Sequence, residues 1–172
     1  LEYSSIPQRT GELLAASLSG LRESYGQKAV SPELYLGTQV QIGDRSAAFG
    51  LVRGVMPSTL LVRDRLQMDS GTWPGAGEVL VGRLAATKLS AQNEELEIGR
   101  ELNFEGQAWR ISGTFSAGGA TLESELWCRL EDLQQVLKRQ DLSLVALKLN
   151  DVRDLVGVEL FCKERLDLEL QA

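Results

Sequence analysis

A chain of 172 residues with 24 acidic and 18 basic side chains carries a formal charge of −6, and it contains no histidine and only two cysteines. Without histidine there is no Ser-His-Asp triad, Cys-His dyad, HExxH zinc site or imidazole pH switch, and two cysteines alone do not complete a zinc tetrahedron. The acidic balance argues against nucleic acid as a partner, while 43% apolar and 24% charged residues describe an ordinary globular chain.

Residues 10–25 read as an amphipathic helix, with Leu14, Leu18, Leu21 and Tyr25 at helical spacing, Thr10 as its cap and Gly26 as its end. Residues 28–42 read as extended, with Pro32 arguing for an edge or a break. GDRS at 43–46 is a turn and 47–55 the returning strand, so 34–55 forms a hairpin. MDSGTWPGAGE at 68–78 is a loop by composition. EVLVG at 78–82 is a short buried strand, and 83–89 a short helix with Leu84 and Leu89 inward. Segments 96–106 and 108–116 are two strands joined at Gly106.

Residues 123–139 read as a helix with Leu126, Leu130, Leu133 and Leu137 in one stripe. A strand follows at 142–150. Asp151 caps a helix over 152–165 carrying Val152, Leu155, Val156 and Leu160, and LDLELQA at 166–172 alternates like a final strand. The fold class is α+β in two lobes. A split helix-on-sheet lobe, porter-like and ferredoxin-like, occupies 1–50 and 121–172, and a β-rich inserted lobe occupies 51–120. No apolar run reaches the ~20 residues of a membrane-spanning helix. The start at Leu1, with neither methionine nor signal peptide, reads as an excised or processed piece.

The chemical candidates are few. GTWPGAG at 71–77 lacks the lysine of a phosphate loop and reads as a turn. Glu123 and Glu125 read as acids at a helix start, favoured by the macrodipole. The competing reading makes them the carboxylate pair of an enzyme, sharing a pocket. Glu94, Glu95 and Glu97 read as a solvated loop. Cys128 and Cys162 fall on predicted helices; they are either two reduced thiols or a disulfide, which needs an oxidising compartment and Cα atoms within about 7 Å. Trp73 in its Gly/Pro loop is the candidate contact residue, whereas Trp109 on a strand and Trp127 on a helix read as packing groups.

The order LVRGVMP (51–57), SGTWP (70–74), GEVLVGRLAATKL (77–89), LEIGRELNFEGQAWRISGTFSAGGATLESELW (96–127), LEDLQQVL (130–137) and LSLVALKLND (142–151) resembles the extracytoplasmic domain of MacB/FtsX-type ABC transporter permeases. The helix at 10–25 followed by KAVSP at 28–32 resembles the start of such domains. The resemblance implies a non-catalytic domain without cofactor or metal, on the periplasmic face of a bacterial inner membrane and flanked by transmembrane helices. It implies an ABC ATPase subunit as partner, a second permease subunit in a homo- or heterodimer, and a periplasmic adaptor or substrate. The domain would transmit ATP-driven motion during export. Within GGATLESELW, Gly118 and Gly119 are a candidate hinge, against the plainer reading of a glycine turn. Glu123, Glu125 and Trp127 are candidate interaction residues beside it. A free-standing binding module using the Trp73 loop is the alternative.

Overall fold

The computed structural model describes residues 5–168 and 170–172. Its elements in chain order are a helix at Thr10–Ser17 (α1), strands at Glu23–Ser24 (β1), Gln27–Lys28 (β2), Val30–Ile42 (β3) and Ala48–Val55 (β4), and a helical turn at Thr59–Val62 (α2). Next come strands Gln67–Gly71 (β5) and Glu78–Gly82 (β6), the turn Ala85–Lys88 (α3), and strands Glu101–Phe104 (β7) and Gln107–Ser116 (β8). Strand Leu126–Arg129 (β9), helix Leu130–Leu137 (α4), strand Leu144–Leu147 (β10) and helix Leu155–Glu164 (α5) complete the chain.

The first helix is shorter than its periodicity predicts. Leu18 is already extended at φ −92° and ψ 123°, and Lys28 donates to the carbonyls of Ala15 and Leu18 at 2.6 and 3.0 Å, satisfying the last turn. Residues 22–28 form a hairpin instead, whose Tyr25 and Gly26 both take positive φ, 53° and 76°, the primed-turn geometry that matches strand twist. Leu14, Leu18 and Leu21 still share one apolar cluster, so their spacing reported burial rather than helix length. Thr10 is the first helical residue, not the cap.

The hairpin of β3 and β4 forms as expected, Leu34 to Val40 against Gly54 to Ala48. Pro32 lies where that ladder has not yet begun and β10 pairs one side only, so its missing N–H costs no second ladder. Three further expectations change. The stretch at 68–78 contains a real strand, β5. The predicted helix over 123–139 is a 3₁₀ turn at Thr121–Ser124, then β9, then α4, so Leu126, Trp127 and Cys128 sit on a strand. The expected final strand is a 3₁₀ turn at Leu166–Leu168; Glu169 lies outside the described residues. Leu84, expected inward, is exposed, while Leu89 is buried.

Among the described residues, six strands close a ring in the order β3, β4, β9, β6, β8, β7 and back to β3. The closing contacts are Gln41 with Asn103 and Ile42 with Leu102. Closure removes the free edges that an open sheet would expose. Because β3 and β8 outrun the short β7, β10 pairs the near end of β3 and β5 the far end of β8. The barrel interior holds Leu34, Val40, Val52, Val79, Leu102, Trp109, Ile111 and Leu126, closed by Leu130 and Leu133 of α4. Phe104 stacks on Trp109 with centroids 4.6 Å apart. A Cβ on Gly54 would lie 3.1 Å from the backbone of Leu130, so α4 rests directly on β4.

A bulge at Ser112 redirects β8. Val79 pairs with Ile111 but Leu80 with Gly113. The parity therefore flips: Trp109 and Ile111 face inward, while Phe115 joins Val55, Leu66, Leu80 and Trp127 in a cluster on the outside of the barrel. The Ser112 hydroxyl, turned aside by the bulge, donates to the Thr72 carbonyl at 3.0 Å. A second core, Leu14, Leu18, Leu21, Val30, Val158, Phe161 and Leu168, lies where α1 and α5 cover β3 and β10. The ring is continuous across residues 50/51 and 120/121, and β4, at Ala48–Val55, spans the first of those points.

Candidate functional site

The GGATLESELW segment is held by two separate buried carboxylates. Glu123 is fully buried. One of its oxygens accepts the N–H groups of Ala117 at 2.7 Å and Gly119 at 3.0 Å, and the other accepts from Arg83 Nε at 2.7 Å. Those backbone donors foremost, with Arg83, hold its carboxyl well down, at about 2. Gly118 and Gly119, both at positive φ, form a turn wrapped round this carboxylate. The neighbouring backbone is fixed as well, with Leu84 N–H donating to the Glu123 carbonyl at 2.8 Å and Gly82 N–H to the Glu125 carbonyl at 3.0 Å.

Glu125 belongs to a different set. Arg53 grips it with two parallel bonds, Nε and Nη2, each 2.7 Å, and Trp127 Nε1 donates to it at 2.8 Å. The remaining Arg53 nitrogen, Nη1, donates to Glu33 at 2.7 Å. Glu33, with no exposed surface, also accepts Arg63 Nη2 at 2.8 and 2.7 Å and Ser31 Oγ at 3.0 Å. Ser31 in turn bonds Thr59 at 2.7 Å. The guanidinium of Arg53 lies 4.9 Å from the centre of the Tyr35 ring. Burial opposes its charge, but hydrogen bonds and charge from Glu125 and then Glu33 outweigh that, so its pKa is raised.

Strand register explains this assembly. Tyr35 pairs with Arg53, and Arg53 with Trp127, which makes one row across the outer face of β3, β4 and β9. Glu33 and Glu125 flank the row at the same parity. The α2 turn and Arg63 cover it. Sequence reasoning found Glu123, Glu125 and Trp127 but assigned them to a helix; Glu123 lies in the 3₁₀ turn, Glu125 just after it, and only Trp127 on β9. It missed Glu33, Arg53 and Arg63, which only the register brings together. Glu123 and Glu125 share no pocket, since their carboxylates lie in separate hydrogen-bond sets. Neither stands at an α-helix start.

Trp73 is half-buried. It packs against the outer cluster of Phe115 and Trp127 and lines a shallow groove of about 290 Å³ with Met56, Pro57, Pro74 and the pair Arg129–Glu131. Trp109 is a packing residue as expected. Cys128 and Cys162 are free thiols in different apolar clusters, Cys128 inside the barrel and Cys162 against the small core, so the proposed bridge is not formed. Burial pushes both thiols up. Glu95 is no solvated loop residue: it closes a capping box with Gln92 and pairs with Arg45 at 2.8 Å. Among the described residues no cluster of His, Cys, Asp and Glu has metal-site geometry, and no helix is long and apolar enough to cross a membrane.

Neither a family model nor a curated protein sequence matches the chain. Solved structures do. The periplasmic region of MacB from Actinobacillus actinomycetemcomitans superposes with a TM-score of 0.71 over 96% of this chain and 76% of that one, at 14% identity. The extracellular domain of the noncanonic ABC-type transporter YknZ from Gram-positive bacteria gives 0.71 over 93% and 84%, also at 14% identity. Identity this low carries the architecture and not individual site residues. The chain therefore has the fold of the extracytoplasmic domain of MacB/FtsX-type transporter permeases.

Proposed function

We propose that this chain is the extracytoplasmic domain of an ABC transporter permease and that it relays ATP-driven motion to a substrate or periplasmic partner during export. The observation that carries the reading is the match, over nearly the whole chain, to two such domains from different transporters. Its interior supports the reading. The buried charges of Glu33, Arg53, Glu125 and Arg63 tie three barrel strands to the α2 segment, and Asp64 just beyond is ion-paired to Lys148 and Arg22. These links stiffen the join between the barrel and the small lobe. In this reading the ATPase is a separate cytoplasmic subunit, the permease works in pairs, and the small lobe faces the membrane.

The test uses the full transporter, spin-labelled at Asp69→Cys on β5 in a Cys162→Ser background. The separation between the two labels is expected to differ between nucleotide-free and ATP-trapped states. An unchanged separation in a transporter that still exports would sink the relay. A second reading, a binding face at Trp73, is favoured by its half-exposed ring beside Met56 and two prolines. Under that reading Trp73→Ala abolishes partner capture with little change in the ATP-driven distance shift.

A further inference from the structure

The middle of α5 contains a glycine that its own chain does not use. Glycine is disfavoured inside a helix relative to alanine. Yet a Cβ at Gly157 would meet only Leu18 Cδ2, at 3.9 Å, an ordinary contact, and Gly157 is not among the glycines with positive φ. It floors an open groove of about 360 Å³ between the end of α1 and α5, lined by Leu18, Gly20, Arg153, Gly157, Leu160 and Glu164.

Four of those residues form a seam. Positions 157, 160 and 164 are spaced three and four, which puts them on one face of α5, and Arg153 adjoins them at the groove from the 3₁₀ turn Val152–Asp154 that leads into the helix. In order they are positive, absent, large and apolar, and negative. Turned end for end, the same series complements itself: Arg153 meets Glu164, and Leu160 meets Gly157. Leu160 is 51% exposed, and Val156 at 58% and Val152 at 81% extend the apolar surface beside it. A lipid surface suits this face poorly. Between 151 and 167 the acids Asp151, Asp154, Glu159, Glu164 and Asp167 outnumber Arg153, Lys163 and Arg165, against the attraction of anionic headgroups.

We propose that α5 docks on α5 of a second copy of this chain, antiparallel about a two-fold axis passing between Val158 and Glu159. Each copy's Leu160 seats over the other's Gly157, and Arg153 faces Glu164 at both ends. This is a self-complementary, closed interface. Arg153 now bonds Asp151 at 2.9 Å on the exposed surface, a contact that exchanges for Glu164 without uncovering buried charge. The seam is a property of this chain alone and stands whether or not the transport reading does.

Sedimentation equilibrium of the 172-residue chain tests it. A reversible dimer is expected, and Gly157→Leu raises its Kd at least tenfold while the near-ultraviolet circular dichroism stays native. Arg153→Glu and Glu164→Arg each weaken the homodimer, because each creates like-charge pairs. An equimolar mixture of the two variants restores a dimer with one chain of each, since both cross-pairs are then opposite in sign. A chain that stays monomeric at millimolar concentration overturns the proposal, as does a dimer indifferent to these substitutions. Should Gly157→Leu lose the native fold, the mixing experiment with its surface variants decides alone.

Discussion

Two glutamates, two positions apart in the same segment, do different work. Glu123 fastens a turn, and Glu125 anchors an arginine. Because Glu123 titrates near 2 in the folded chain against 4.5 for an ordinary glutamate, the folded state favours its ionised form. Its stabilisation is complete above about 4.5 and is lost as the pH falls towards 2. The melting temperature is therefore expected to drop across that window, and Glu123→Gln to flatten the drop while lowering the plateau near neutrality. Asp141, held near 2 first by its hydrogen bonds from Arg139, titrates in the same range, so the flattening is partial. A variant with an unaltered pH profile would dismiss the role of Glu123. At the other cluster, Arg53→Leu leaves Glu125 and part of Glu33 buried without their cation. A loss of about 3–5 kcal/mol is expected in urea unfolding, and Arg53→Lys restores little because a single ammonium does not reproduce the two-pronged grip. Glu123, Glu125 and Trp127 were legible as candidates in the sequence. Arg53 was not, because it lies 72 positions from Glu125 and becomes its partner through strand pairing that no local pattern encodes.

The elements were legible where a local pattern announces them. The β3–β4 hairpin, β6 and β8 and the Asp151 cap all follow from alternation, helical spacing or turn chemistry. They were misread where two patterns coincide. Leu126, Leu130, Leu133 and Leu137 have helical spacing, yet Leu126 points into the barrel from a strand, and helix begins only at Leu130. β5 escaped notice because all five of its residues are exposed, which leaves no apolar alternation to read. The bulge at Ser112 was equally silent, although it decides which core receives Phe115. Deleting Ser112 is expected to turn Phe115, Ser116 and Ala117 to the opposite faces. That would bury a serine in the outer cluster and drive Phe115 into an already filled barrel. The deletion should abolish the near-ultraviolet spectrum. A native spectrum would show that the register has another determinant.

At the scale of the molecule, the α+β class could be read from the chain, but the closed barrel could not, because strands far apart in sequence pair to make it. Glycines concentrate between residues 37 and 119, whereas the ring closes through strands that lie both inside and outside that stretch. The two cores also share material: Val30 belongs to the small core, and Leu34, Val40 and Ile42 to the barrel. A single heat-absorption peak, with calorimetric and van't Hoff enthalpies equal, is expected from calorimetry; two separated peaks would show that the cores melt independently. All four of those side chains stand on β3, whose thirteen residues run unbroken from one core to the other. At about 3.3 Å per residue such a strand is about 40 Å long. In the proposed relay it would serve as a lever arm: a tilt of about 10° imposed at the Val30 end would displace the Ile42 end by about 7 Å. Under that proposal a small rotation of the lobe that carries α1 and α5 would be magnified into a sweep of the barrel rim.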